Sequence, residues 1–265
     1  MRIMNGKNIG KTIAIGVFVS LLVVLSMNIV VLKNNFVPYP NEDGTRYFAR
    51  YTSEIHSPIH IVDNAGLESF CTQGNGTEGN PYIIEDLVID AFTAHGIYIQ
   101  DTDAFLIIRN CTIANGSSQY SGIYLHYCSN VNVTNNTCKN NTQGIYLYNS
   151  DRNNISGNTC TMNVDAGIHL YWYSQWNNIS FNNCSENIGK GISLDEGSYA
   201  NINYNNCSKN ADGIFIIDSR GFLSHNHGHH NLHAGAYLQG DSNSITNDSF
   251  SHNQIGIILN FSATE

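Results

Sequence analysis

Apolar residues in this chain recur in a fixed phrase rather than in a helical stripe. Glycine, isoleucine, any residue, then leucine or isoleucine begins at Gly96, Gly122, Gly144, Gly167, Gly191, Gly213, Gly235 (with Ala236 in the second place) and Gly256. The steps between these glycines are 26, 22, 23, 24, 22, 22 and 21 residues. Apolar and polar positions alternate within the phrase, as a strand with one buried face requires, and a repeat of this length predicts a solenoid. A second phrase fills each interval: an aliphatic residue, Asn three later, Cys five later and Asn eight later. Copies begin at Val133, Ile155, Ile179 and Ile202, and their internal spacing does not drift. Insertions therefore fall elsewhere, notably at Trp172–Trp176, where a loop is expected.

The segments between phrases, such as NNTQ, TMNVDA and SKNAD, are too short and too poor in helix formers to make the convex side of a leucine-rich repeat. Three short strands per coil, separated by bends, fit better. The expected fold is all-β: a right-handed parallel β-helix of about eight to nine coils over residues 59–265, with roughly 4.8 Å between coils. Equivalent positions then stack into ladders. Ile97, Ile123, Ile145, Ile168, Ile192 and Ile214 point inward, as do the residues two later. Cys111, Cys138, Cys160, Cys184 and Cys207 are read as a ladder of small buried hydrophobes, with Cys71 and Cys128 outside it. Asn at the bends exchanges amide hydrogen bonds between coils and satisfies turn backbone.

Before the repeat, residues 13–32 contain no charge and follow Arg2, Lys7 and Lys11. At about 1.5 Å per residue this segment is long enough to cross a bilayer core of roughly 30 Å. Residues 1–33 are therefore read as an uncleaved signal anchor, with the N-terminus inside and the β-helix outside; cleavage would make the body a secreted protein. Residues 34–58, with Pro38, Pro40 and Pro58, show no lasting period and read as a linker.

Composition narrows the function classes. Of 265 residues, 12% are charged and 42% hydrophobic, with 15 Tyr and 11 Phe, which argues against both disorder and a helical bundle. Beyond residue 33 there are 8 basic residues against 21 acidic ones, so nucleic acid is not an expected partner.

The phrase GNGTEGNPYIIEDLVIDA (Gly74 to Ala91), followed by Gly-Ile strands and Ile-x-x-Asn-x-Cys bends, resembles the right-handed β-helix repeat proteins of archaeal surfaces, related to NosD-type and carbohydrate-binding β-helix modules. The resemblance covers residues 59–265 and implies the fold. It leaves function open among lyases, hydrolases, epimerases, binding modules and structural stalks.

Three groups carry candidate chemistry. The outward positions of the Gly-Ile strands hold Tyr98, Tyr124, His126, Tyr146, Tyr148, His169, Tyr171, Phe215 and Tyr237, an aromatic strip expected to bind a polysaccharide or surface glycan. The run HNHGHHNLH places His227 and His229 on one side of a strand, with His230 and His252 in equivalent slots of successive coils; such imidazoles would suit zinc or copper, although no cofactor is required. Glu196 and Asp218 each fall five residues after a glycine on adjacent coils, so their carboxylates would approach within about 5 Å, a pair of the sort a glycosidase uses. A solvated histidine face, a strip that only stabilises neighbouring rungs and a purely structural module are the competing readings. The last Gly-Ile strand is followed by no polar cap, so self-association through the C-terminal coil is a further expectation.

Overall fold

The computed structural model describes residues 36–40, 46–50, 54–240 and 242–260. The chain divides into two units, one ending at Glu54 and one beginning at Ile55. In the first, Phe36–Pro40 and Arg46–Arg50 pair as antiparallel strands, where the sequence shows no lasting period. The apolar segment 13–32 lies outside the described residues, and no helix among those residues is long and apolar enough to cross a membrane.

The second unit is a parallel β-solenoid whose coils each contribute a strand to three sheets. The first sheet has nine strands, from Ile59–Val62 through the Gly-Ile strands to Ile255–Asn260. The second has eight, from Tyr82–Glu85 to Ser244–Thr246. The third has five, from Ile55–His56 to Thr159–Thr161, and continues as single bridges through Asn183, Asn206, His227 and Ser249. The first coil thus begins at Ile55 rather than at Ile59. The expected registers hold: Ile97, Ile123, Ile145, Ile168, Ile192 and Ile214 pair rung to rung and are buried. One short helix, Asp63–Phe70, was not expected; it sends Leu67 into the core and ties Asn64 to Thr102 and Asp103.

Glycine opens the Gly-Ile strands from Gly96 to Gly235 because the next coil comes too close for a side chain. A Cβ at Gly144 would lie 2.6 Å from the carbonyl oxygen of Gly167 and 2.8 Å from the Cβ of Cys160. The asparagines form two long buried columns, and Asn153 and Asn177 a shorter one. In one, Asn158 Oδ1 accepts from the backbone N–H of Asn136 at 2.9 Å, and its amide nitrogen donates to the Val133 carbonyl at 2.8 Å. The column continues through Asn182, Asn205 and Asn226 to Asp248. The other runs from Asn141 through Asn163, Asn187, Asn210 and Asn231 to Asn253.

The cysteine ladder needs one correction. Cys138 pairs with Ile113 in the coil before it, not with Cys111. Cys111 instead takes the first position of the Asn column, its N–H bonded to Asn136 Oδ1 at 2.9 Å. The slot selects a compact apolar side chain, which Ile113 satisfies as well as cysteine, so cysteine identity was a poor marker of it. Further on, Gly228 leaves the slot empty and the Phe250 ring fills it. All seven cysteines are free thiols, and Cys128 lies in a third column, with its N–H bonded to Ser150 Oγ and that of Ser150 to Ser174 Oγ.

At the corners, the residue before a column residue often takes left-handed backbone and throws its side chain outward. Asn135, Phe181, Tyr204 and His225 occupy one such corner, with φ of 56°, 58°, 55° and 56°. Asn tolerates this conformation; a bulky ring there is held against a steric cost of roughly 1–2 kcal/mol.

Candidate functional site

The strip on the first sheet forms in the expected register. Tyr98, Tyr124, Tyr146, His169, Ser193, Phe215 and Tyr237 are successive rungs of one outward column. Its rings, however, face one another. His60 stacks on Tyr98 at 4.3 Å between centroids, Tyr98 on Tyr124 at 4.7 Å and Tyr124 on Tyr146 at 4.8 Å, with planes 3–15° apart. These in-register neighbours stack one strand spacing apart, so their faces are covered and the strip is half-buried rather than exposed. A ligand meets ring edges and phenol oxygens. Tyr98 donates to Gln100 at 2.9 Å and stands 3.1 Å from His126 Nδ1. The Tyr124 and Tyr146 hydroxyls have no hydrogen-bond partner among the described residues. Burial, reinforced by neighbouring phenols, pushes the Tyr124 hydroxyl up to about 12 and raises that of Tyr146 as well. Tyr148 and Tyr171 follow in the second outward column, 5.7 Å apart.

Where the stack reaches His169 it gives way to charge. His169 Nε2 lies 2.7 Å from Asp195 Oδ2, and its Nδ1 lies 3.5 Å from Asp165 Oδ2, close enough for an ion pair but without a hydrogen bond. Ser193 donates to Asp195, Gln143 donates to Asp165, and Lys190 reaches Asp165 at 3.4 Å while its ammonium lies 5.2 Å from the Phe215 ring centre. Burial pushes the imidazole pKa down, but the two carboxylates more than offset this and raise it. The imidazole, together with the Gln143 amide and the Lys190 ammonium, holds the Asp165 carboxyl well below the usual carboxylate range against the effect of burial. Sequence reasoning placed His169 here but did not join it to Asp165, Lys190 and Asp195. They occupy different slots of the repeat, and only the coil length brings them together.

Glu196 and Asp218 both sit in left-handed corner turns and are exposed, with neither carboxylate bonded to a described residue. Asp218 lines a surface depression and Glu196 does not. His227 and His229 have ring centres 5.8 Å apart, and His230 stacks on His252 at 5.0 Å. Ser251 Oγ bridges His229 and His252 at 2.8 and 3.0 Å. Among the described residues, no three His, Cys, Asp or Glu side chains are grouped to hold a metal ion. Phe215 stacks on Tyr237 at 4.9 Å, beyond the charged rungs.

Two depressions open on the corner between the first and second sheets. One, of about 480 Å³, is lined by Asp101, Asp103, Tyr127, Asp151 and Arg152. The other, of about 530 Å³, is lined by Trp176, Gly197, Tyr199, Asp218 and Arg220. Between them lies the expected insertion, in which Tyr173 covers Gly197 so closely that a Cβ there would lie 2.6 Å from the ring.

Solved structures with this architecture include the periplasmic alginate epimerase AlgG (18% identity, TM-score 0.54, 68% of this chain and 50% of that one). Pectate lyase Pel9A matches at 11% identity with a TM-score of 0.53, over 80% of this chain and 78% of that one. The A-module of the Azotobacter vinelandii mannuronan C-5 epimerase AlgE4 matches at 14% identity with a TM-score of 0.51, over 69% and 64%. At these identities the likeness is one of fold, and the chain spans half the length of the AlgG chain. No curated protein matches the sequence. The family model described as "Right handed beta helix region" matches residues 70–221, more than half of the chain, and the protein therefore belongs to the right-handed β-helix family.

Proposed function

We propose that this β-helix is an exported protein, anchored by residues 13–32, that binds polysaccharide along the outward face of its first sheet. The observation that carries this reading is the row of phenols from Tyr98 to Tyr171, with the Tyr124 and Tyr146 hydroxyls free of partners among the described residues. Half-buried hydroxyls on a rigid sheet offer donors and acceptors at the coil spacing, which suits a polymer lying parallel to the axis. Tyr124→Phe with Tyr146→Phe keeps the stack and removes only the hydroxyls. In a glycan-array measurement on the full chain, the double variant is expected to bind at least tenfold more weakly; retention at the wild-type level overturns the reading.

A second reading, a carbohydrate-active enzyme, rests on the charged cluster that interrupts the stack. The solved structures named above are an alginate epimerase, a mannuronan C-5 epimerase and a pectate lyase, and Asp195, His169 and Lys190 would be the groups at work here instead of Glu196 and Asp218. Product release from uronate and neutral glycans that Asp195→Asn abolishes supports this reading. Absence of turnover across both classes removes it.

A further inference from the structure

We infer that the corner between the first and second sheets carries a second glycan site, built from Arg152, Trp176, Tyr199 and Arg220 and suited to a neutral oligosaccharide. These four residues are one column. Tyr199 pairs with Arg220, Ala200 with Asn177, and Asn154 with Asn178, so counting back one or two residues aligns Arg152, Trp176, Tyr199 and Arg220 on successive coils. Three strand spacings put the two arginines about 14 Å apart along the axis, the reach of a short oligosaccharide.

The column differs from the first-sheet strip in what it offers. Trp176 and Tyr199 lie 4.5 Å apart but tilted by 46°, and Tyr199 and Phe222 are tilted by 56°, so these rings meet obliquely and do not form a continuous face-to-face stack. Trp176 is 58% exposed. Its φ of 59° is the left-handed corner conformation, shared by Arg152 at 54° in the equivalent position, that throws the side chain outward. An open indole face is what a sugar ring stacks on.

The polar ends match. Among the described residues, neither the Arg152 nor the Arg220 guanidinium makes an ion pair or a hydrogen bond, whereas Arg109, Lys190 and Lys209 are each paired with an acid. Each free guanidinium shares its depression with carboxylates: Arg152 with Asp101, Asp103 and Asp151, and Arg220 with Asp218. Donors beside acceptors suit hydroxyl groups, which need both. The acid excess in the first depression and the net charge of −9 disfavour a polyanion.

The site is tested on the full chain by calorimetry with neutral cello-, manno- and xylo-oligosaccharides of four to six sugars and with oligouronates of the same length. Trp176→Ala and the pair Arg152→Ala with Arg220→Ala remove exposed groups, and circular dichroism checks that the fold survives. Each is expected to weaken neutral-sugar binding at least tenfold, with Tyr124→Phe plus Tyr146→Phe leaving that binding unchanged. If only the tyrosine variant loses binding, the corner site is wrong and the first-sheet reading stands. If only the corner variants lose it, the corner site stands, and the first-sheet reading is decided by its own glycan-array measurement. Absence of neutral-sugar binding, or a preference for the oligouronates, overturns the inference.

Discussion

Asn158 and Gly144 show how tightly single positions are specified. Asn158 is buried, and its side chain serves the backbone N–H of Asn136 and the carbonyl of Val133 at once. Asn158→Ala strands both groups away from water, at a cost of about 1–3 kcal/mol for each unsatisfied group. A urea titration should therefore show the variant destabilised by about 3 kcal/mol. An effect below 1 kcal/mol would mean that water replaces the amide. The thiols give a second residue-level prediction. Burial raises the pKa of Cys71, Cys111 and Cys128, but of the seven only Cys71 is partly exposed. In the native state a maleimide should label Cys71 alone, with the other six reacting after denaturation; native labelling of Cys138 or Cys160 would show that the core opens. Spacing made most of these slots legible, because the Asn and Cys positions keep constant distances from an aliphatic residue. Cys111 misled because it stands three residues after Ile108, where the phrase has Asn, while Ile113 holds the cysteine slot.

At the scale of the strand, the first sheet combines a ring stack with an ionic break, and the break predicts a pH profile. His169 has a raised folded-state pKa, so its contribution to stability is complete below the unfolded value, near 6.5, and is lost as pH rises through the folded value. Asp165 is depressed; its contribution is present above the unfolded value, near 3.9, and disappears as pH falls through the folded one. Thermal stability should therefore be greatest between these limits. His169→Gln should flatten the alkaline side of a Tm-versus-pH curve. An unchanged alkaline limb would show that the imidazole is not held as a cation. This cluster was not legible in the sequence as a site, because Asp165 precedes its glycine, Asp195 follows another and Lys190 sits between them. The aromatic strip was legible as a register but not as a surface, because period alone does not reveal whether successive rings stack face to face, as those from His60 to Tyr146 do.

Across the whole molecule, stability is a sum of rungs, since each coil touches only its neighbours. At one end Leu67 covers the core, whereas in the last described strand Ile255, Ile257 and Leu259 are 40%, 43% and 53% exposed. Hydrogen exchange should accordingly be slowest in the Ile145 to Ile192 strands and fastest in Ile255–Asn260. Uniform protection along the axis would indicate all-or-none opening. The site at the corner was hidden for a related reason: Arg152 and Arg220 are three coils apart and align only when the lengths of the intervening coils are known. The Asn columns also have a direction. Each amide in the first column donates from Nδ2 to the Oδ1 of the next coil, so the dipoles add from Asn136 towards Asn226. The positive end of this wire meets Asp248, whose Oδ1 accepts from the Asn226 backbone at 2.6 Å and side chain at 2.7 Å. A carboxylate there opposes the accumulated polarity, as an acid does at a helix N-terminus. An asparagine at 248 would forgo that attraction.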